Sequence, residues 1–191
     1  MDIIKIPLKN YIHIRDLTTN ITYLVEGPKN YALQSNEVQV LPITAFVQLR
    51  NNSYVTIENP VIKDKKGNAE FETFGQVKLN WGEQEIRTSI DYKDPFPLYP
   101  GEKLIKAVTS FEMIQANEQL KLKAINGFFD DIKKKNRKPG DMWMIRGPMN
   151  FIPRVEVQVL EKIQATIIKN NSAIVVEALR DCEDRMGNKR K

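Results

Sequence analysis

Histidine is the side chain most often recruited for proton transfer and metal binding, and the chain contains one, His13. It alternates with Ile12 and Ile14, which predicts a place on the polar, solvated face of a β-strand. A metal ligand or a general base needs partner side chains, and none is spaced around His13 in a recognisable pattern. We therefore interpret His13 as a strand residue without a chemical role.

The only cysteine, Cys182, is the remaining candidate nucleophile. Its neighbours Asp181, Glu183 and Asp184 disfavour the thiolate that a nucleophile needs. A single cysteine forms no internal disulfide, which agrees with a reducing compartment. The sequence thus predicts no catalytic residue, no cofactor and no enzymatic activity.

Oxygen ligands for a cation are offered by Asp181, Glu183, Asp184 and Asn188. Their spacing does not match the twelve-residue calcium loop, and no glutamate closes the segment. We interpret these residues as a hydrogen-bonded turn and predict no metal site.

The densest group of charges is a basic cluster formed by Lys133, Lys134, Lys135, Arg137 and Lys138. Such a cluster attracts RNA or an acidic partner through counterion release. The alternative is a solvated loop tip, which is favoured because no aromatic side chain interleaves the charges as a stacking platform. The net charge of +5, from 29 basic and 24 acidic residues, gives only a mild attraction to anions.

The elements that would carry these residues are β-strands, because apolar and polar residues alternate in many short runs. Examples are 12–15, 77–81, 120–124 and 155–159. The ten prolines, Pro42 among them, are expected between the strands rather than inside them. Trp81 and Trp143 lie in strand patterns and are predicted to be core residues, whereas Phe96 and Tyr99 are expected to cover a junction between modules.

Internal repeats organise these strands. Segments 40–61, 104–125 and 159–179 align, and each has an asparagine-centred turn that predicts a β-hairpin, at Asn51-Asn52, Asn117 and Asn170-Asn171. A second turn, capped by aspartate, recurs as RDLTTN (15–20), KDKKGN (63–68) and EDRMGN (183–188). A third motif, a strand ending in Gly-Pro before an aromatic residue, recurs as EGPKNY (26–31) and RGPMNF (146–151).

The fold class predicted from these repeats is all-β, an extended, stave-like tandem array of small antiparallel modules of about 50 residues each. The predicted boundaries give module one at 1–52, module two at 53–109, module three at 110–161 and module four at 162–191. Module four lacks a return strand. The chain is therefore expected to be a fragment of a longer array, or else to leave its last hairpin as an unpaired edge.

Composition agrees with a folded protein, since 41% of the 191 residues are hydrophobic. No apolar run approaches the roughly 20 residues that cross a bilayer, and the first residues lack the apolar core of a signal peptide. We expect a soluble, intracellular protein that binds neither membrane nor DNA.

Six segments resemble the N-terminal repeats of the major vault protein family, and together they cover nearly the whole chain in order. They are IIKIPLKNYIHIRD (3–16), EGPKNYALQSNE (26–37), ENPVIKDKKGNAEF (58–71), KDPFPLYPGE (93–102), GPMNFIPRVEVQVLEKIQATII (147–168) and the EDRMGN turn. The strings DPFPLYPGE and EKIQATII are the most specific. The chain departs from the family in module three, where 133–138 is basic and the family loop is more acidic.

The resemblance implies a structural shell subunit. In that family many copies stand side by side as staves of a hollow, cytoplasmic ribonucleoprotein particle, with the N-terminal repeats nearest the waist. By this analogy residues 1–52 would lie at the waist, and vault-associated proteins and RNA would be partners. An adaptor that binds a protein or RNA through its β repeats is the alternative.

Overall fold

The computed structural model describes residues 3–177, 181–183 and 187–190, and within these ranges the regular structure is entirely β. The strands are β1 (Ile3–Ile6), β2 (Asn10–Asp16), β3 (Thr22–Glu26), β4 (Lys29–Ala32), β5 (Glu37–Ala45), β6 (Ser53–Glu58), β7 (Gln84–Thr88), β8 (Lys103–Leu104), β9 (Thr109–Ser110), β10 (Glu112–Ile114), β11 (Glu118–Ala124), β12 (Phe128–Asp130), β13 (Lys135–Arg137), β14 (Met142–Arg146), β15 (Met149–Phe151), β16 (Val157–Gln164), β17 (Cys182–Glu183) and β18 (Lys189–Arg190). The predicted all-β repeat class is confirmed.

Module one consists of two antiparallel sheets around a small core. Strands β3, β2 and β5 form one sheet in that order, and β1 pairs with β4 in the other. The alternation seen in the sequence places Ile12 and Ile14 on the inner face of β2, where both are fully buried. Ile6 from β1 and Val25 from β3 complete the cluster.

Module three repeats this arrangement. Strands β14, β11 and β16 form the three-stranded sheet, and β10 pairs with β15. Its core contains Ile114, Leu120, Leu122 and Ile145, which lie at the strand positions that the core residues of module one occupy. A common topology and a common core pattern make modules one and three two copies of one structural unit.

Module two is a variant of the same unit. Its central strand β6 pairs with β7 on one side and with β8 and β9 on the other. An additional arm between β6 and β7 is held by isolated bridges from Val61 to Leu79, Lys63 to Ala69 and Phe71 to Val77.

The hairpins predicted at the asparagine turns are wrong. Asn52 has the expected left-handed backbone, with φ of 57°. However, β5 pairs with β2 while β6 pairs with β7, β8 and β9, so the strands flanking this turn belong to different sheets. The turn at Asn117 likewise separates β10 from β11, which lie in different sheets. These turns are corners that move the chain from one sheet to another.

The aspartate-capped turns are confirmed at the first two sites. In the β2–β3 turn, the amide of Thr18 donates to the Asp16 carboxylate at 2.7 Å. In the arm of module two, the amide of Lys66 donates to the Asp64 carboxylate at 2.8 Å. In the longer loop of module three, Asp130 accepts the same kind of bond from the Ile132 amide at 3.1 Å. The interior of the EDRMGN turn lies outside the described residues.

The Gly-Pro motif marks the tightest backbone approach in modules one and three. A Cβ atom added to Gly27 would lie 2.0 Å from the carbonyl oxygen of Pro7. A Cβ atom added to Gly147 would lie 2.0 Å from the carbonyl oxygen of Gln115. Only glycine fits at these two equivalent corners.

Two other expectations require correction. Trp81 lies in a turn after Leu79 and is 73% exposed, because the run 77–81 forms isolated bridges rather than a strand that continues into the core. Trp143 does pack against the core of module three. Pro42 lies inside β5 and not between strands, which is possible because β5 is an edge strand.

None of the described residues forms a helix that could span a membrane. The described sheets of the first three modules extend over 3–45, 53–110 and 112–164. Boundaries at 52, 109 and 161 remain our proposal for dividing the chain.

Candidate functional site

The candidate site is the junction between modules one and two, where the His13 side chain of module one bonds to the backbone of module two. Its Nε2 atom lies 2.8 Å from the carbonyl oxygen of Leu98 in the KDPFPLYPGE segment. Because a carbonyl only accepts, the neutral imidazole must carry its hydrogen on Nε2 and donate it across the junction. His13 is half-buried, so the predicted outer strand face is correct but the predicted solvation is wrong.

The pKa of His13 is held below its ordinary value. Burial disfavours the imidazolium and is the largest cause, while the bond to Leu98 and the charge of Glu102 partly offset it. Tyr11 stands beside His13, with ring centroids 5.4 Å apart, and burial raises the pKa of its phenol. The junction therefore favours a neutral imidazole.

Backbone contacts extend the same junction. Val47 and Phe96 exchange two hydrogen bonds, from the Val47 amide at 2.8 Å and from the Phe96 amide at 3.1 Å. The arm of module two contributes the Gln76 side-chain carbonyl, which accepts a bond from the Thr22 amide at 3.1 Å. Three separate parts of the two modules are thus joined, and Phe96 lies at the junction as expected.

A buried ion pair holds the module-two side of the junction. The Arg87 guanidinium donates to Glu102 at 2.5 Å, and their side chains are 2% and 0% exposed. Glu102 also accepts the amide of Val61 at 2.9 Å and the amide of Tyr99 at 2.9 Å. One carboxylate therefore ties together β7, the start of the arm and the loop whose Leu98 carbonyl receives His13.

The electrostatics of this pair are well compensated. Burial works against the charged guanidinium, but Glu102 and the nearby Glu85 outweigh it and hold the pKa of Arg87 above its usual range. Tyr92 and Phe96 lie under the guanidinium, with ring centroids 5.4 Å and 5.2 Å from its central carbon. Hydrogen bonds, an opposite charge and aromatic faces offset the desolvation of both groups.

A groove of about 590 Å³ opens beside the junction. Its walls include His13 and Val40 from module one and Phe74, Gln76 and Trp81 from module two. Phe74 is 62% exposed, and together with Trp81 it gives the arm an apolar surface.

Sequence reasoning missed Arg87 and Glu102. Arg87 pairs with Val55 in the same way that Val25 pairs with Ile12, so a charge occupies a core position. The one signal that could have found Arg87 is a charged residue at a strand position that is apolar in the other modules. This signal is visible only when the strand pairing is known.

The basic cluster lies on the β12–β13 hairpin and in the residues that follow it. Lys133, Lys134, Lys135 and Lys138 are exposed. Arg137 differs, because it makes two bonds to Asp130, at 2.8 Å and 3.0 Å, and stacks 4.3 Å from the ring centre of Trp143. The cluster thus presents four exposed lysines to solvent, whereas Arg137 is bonded within module three.

Asp130 is the anion that Arg137 neutralises. Burial acts to raise its pKa, but the bonds from Arg137 and from the Lys133 and Ile132 amides outweigh it and hold the pKa below its usual range. Over the ranges that the structure covers, no group of three histidine, cysteine or acidic side chains is placed to hold a metal ion. Asp184 of the acidic turn lies outside those ranges.

Comparison with known proteins agrees with this architecture. Two family models described as Major Vault Protein repeat domain match residues 46–108 and 113–154, which together span more than half of the chain. A major vault protein of Strongylocentrotus purpuratus is 42% identical over 188 residues, and that of Homo sapiens is also 42% identical over 188 residues. Major vault protein alpha of Dictyostelium discoideum is 36% identical over 189 residues.

These matches cover almost all of this chain but little of the relatives. The aligned region is 98% of the chain and 21% of the Strongylocentrotus protein, and 99% of the chain and 22% of the Dictyostelium protein. The chain therefore spans about a fifth of the length of the curated relatives it matches.

Proposed function

Since the chain belongs to the major vault protein family, we propose that it is a structural segment of a vault-type ribonucleoprotein particle, built from many copies standing side by side. The observation that carries this proposal is the tandem repetition of one sheet unit together with a rigidly bonded junction. A small β module gains stability when it packs against a neighbour. A stave that must keep its shape requires such junctions.

The junction geometry supports a load-bearing role more than a binding role. The groove beside it is open, while the polar groups at its centre, His13, Arg87 and Glu102, are already bonded to protein atoms. Groups that are satisfied internally have little left to offer a substrate. The same reasoning favours a structural protein over an enzyme.

The position within the particle is a finer proposal. By the family analogy, module one lies at the waist, where two half-shells meet, and the particle is cytoplasmic. The β2–β3 turn provides a suitable label site, because Thr18 and Thr19 are exposed at its tip. A tag inserted there should appear as extra density at the middle of the particle, and density at the two ends would contradict the placement.

The experiment that tests the main proposal is electron microscopy of the endogenous protein, purified under native conditions. We expect hollow particles containing many copies. Sedimentation as a monomer across the whole accessible concentration range would overturn the shell function.

The four exposed lysines, Lys133, Lys134, Lys135 and Lys138, favour a second candidate, an adaptor surface for RNA or an acidic partner. Replacing all four with Gln should abolish salt-dependent RNA binding, since each phosphate contact adds to the salt slope. Replacing Lys65, Lys66, Lys103 and Lys106, which are also exposed, with Gln supplies a control with the same charge change. Equal RNA binding by both variants would remove this candidate.

A further inference from the structure

An Asn-Gly pair connects the central strand of module three to the hairpin that carries the basic cluster. Strand β11 ends at Ala124 and β12 begins at Phe128, so Asn126 and Gly127 lie in the short connection between them. Both residues are exposed to solvent. Because Gly127 directly precedes β12, the pair lies at the base of the β12–β13 hairpin.

An asparagine followed by glycine can react with its own backbone. The amide nitrogen of the glycine, once deprotonated, attacks the side-chain carbonyl carbon of the asparagine and closes a five-membered succinimide ring. The side-chain nitrogen takes a proton from water and leaves as ammonia. A second water molecule opens the ring at either carbonyl, which gives aspartate or isoaspartate. The reaction is intramolecular and needs no cofactor, and glycine favours it because no Cβ atom hinders the approach.

The amide of Gly127 is available for this attack. Across the described residues it donates no hydrogen bond, and the side chain of Asn126 makes none either. The connection is held just before this point, because the amides of Ile125 and Asn126 both donate to the carbonyl oxygen of Glu156, at 2.7 Å and 3.5 Å. A Cβ atom added to Gly127 would meet nothing closer than 3.6 Å, so this residue has room to adjust during ring closure.

The structure separates Asn126 from the two other asparagines that precede a glycine or a serine. They are followed by Ser53 and Ser172. The Ser53 amide donates to the hydroxyl oxygen of Ser89 at 3.3 Å, and the Ser172 amide donates to the carbonyl oxygen of Lys169 at 3.2 Å. A bonded amide must break its hydrogen bond before it can lose its proton, so the fold protects both of these sites.

We propose that Asn126 is a site of spontaneous modification, at which asparagine is converted into isoaspartate and aspartate through a succinimide formed with the Gly127 nitrogen. Either product carries a carboxylate that is ionised at neutral pH, so the net charge of +5 falls by one, next to the basic hairpin. Isoaspartate also inserts one carbon atom into the main chain between the sheet and the hairpin. The change is a property of module three and does not depend on the shell function.

The test follows modification of the native 191-residue chain by mass spectrometry during storage at neutral and at mildly alkaline pH. The tryptic peptide 124–133 contains Asn126 as its only asparagine, and fragment ions of two other peptides report on Asn52 and Asn171. Each product is heavier than the asparagine form by the difference between OH and NH2. Isoaspartate is distinguished from aspartate because it is a substrate of protein isoaspartate methyltransferase.

Two variants test the chemistry of the attack. Gly127→Ala adds a Cβ atom to the attacking residue at a place where the fold has room for it. Asn126→Gln requires a larger ring, which closes far more slowly. The same measurements in guanidinium chloride separate the contribution of the fold from that of the local sequence, because the unfolded chain has lost the hydrogen bonds that protect the two Asn-Ser sites.

We expect Asn126 to react at least tenfold faster than Asn52 or Asn171 in the folded chain, at a rate that rises with hydroxide concentration. Gly127→Ala should slow the reaction at least fivefold, and Asn126→Gln should leave position 126 unmodified. Unfolding should speed up the two Asn-Ser sites and change the Asn126 rate little. Equal rates at the three sites of the folded chain, no effect of Gly127→Ala, or an Asn126 rate that rises on unfolding as steeply as the others would each overturn the proposal.

Discussion

The guanidinium of Arg87 and the carboxylate of Glu102 lie 2.5 Å apart with almost no exposure to solvent. Val25 and Ile145, both apolar core residues, occupy the position of Arg87 in modules one and three. Glu102 also bonds the amides of Val61 and Tyr99, so the pair fixes the loop that meets module one. Arg87 and Glu102 thus form a charged clasp, in which β7 carries a charge where modules one and three have an apolar side chain.

Removing one member of this clasp should be costly. Glu102→Ala leaves the buried Arg87 guanidinium with the partly exposed Glu85 as its remaining anionic partner, 2.7 Å from Nε, and we expect it to lower the free energy of unfolding by about 3 kcal/mol. Replacing both residues with methionine should cost less than Glu102→Ala, because no charge is left stranded. Urea denaturation of wild type, Arg87→Met, Glu102→Met and the double methionine variant forms a double-mutant cycle, and an additive result would show that the two side chains do not interact.

The His13 junction should weaken as the pH falls. Its folded-state pKa lies below the ordinary value of about 6.5, so the unfolded chain binds the proton more tightly. The stability contributed by neutral His13 is therefore fully present above about pH 6.5 and is lost as the pH falls through the folded pKa. Thermal unfolding of wild type and His13→Gln between about pH 7 and pH 5 should show this slope only in wild type.

The glutamine control keeps a donor for the Leu98 carbonyl but has no proton to gain in this range. Carboxylates such as Asp16 and Asp130, whose pKa values are lowered in the fold, titrate at more acidic pH and affect both proteins equally. Identical slopes in the two proteins would show that His13 does not sense pH at the junction.

The Gly-Pro corner of module three should tolerate no side chain. Gly147→Ala places Cβ 2.0 Å from the Gln115 carbonyl oxygen, which is backbone and cannot move aside cheaply. We expect a loss of about 3 kcal/mol or more in the free energy of unfolding. Gly127→Ala is the control in the same module, since its Cβ would meet nothing closer than 3.6 Å and its φ is not left-handed. A similar, small effect of both changes would contradict the tight approach.

The two tryptophans should respond differently to truncation. Trp143 packs on the core of module three and under Arg137, and Trp143→Ala should cost about 2 to 4 kcal/mol. Trp81→Ala should change stability by less than about 0.5 kcal/mol, because the indole is 73% exposed. Chemical denaturation of both variants checks the assignment. A large loss for Trp81→Ala would mean that its turn is packed more tightly than its exposure indicates.

The sequence predicts a structural feature correctly where the interactions that cause it lie within a few residues along the chain. The alternation around Ile12 and Ile14 predicts their burial, and Asp16 and Asp64 bond to amides only two residues away. The failed predictions depend on partners that are distant in the chain. Whether the Asn52 turn joins two paired strands is decided by β7 and β2, and whether His13 is solvated is decided by Leu98.

The candidate site itself lay beyond sequence reasoning for the same reason. Arg87 and Glu102 look like ordinary surface charges until β7 is paired with β6 and the 96–102 loop is folded over it. The alternating pattern of 155–159 also predicts that Val159 is buried, but Val159 is 42% exposed. The reason is that β16 is an edge strand with a bulge next to this residue.

The acceptor for His13 is a main-chain oxygen, and this makes the junction asymmetric in its tolerance of mutation. Any residue at position 98 supplies the same carbonyl, so the side chain there can drift without loss of the bond. Position 13 has no such freedom, because only a side chain of suitable length with an N–H or O–H donor can reach across. Mutational scanning of the two partners should therefore find one permissive position and one restrictive position on either side of a single hydrogen bond.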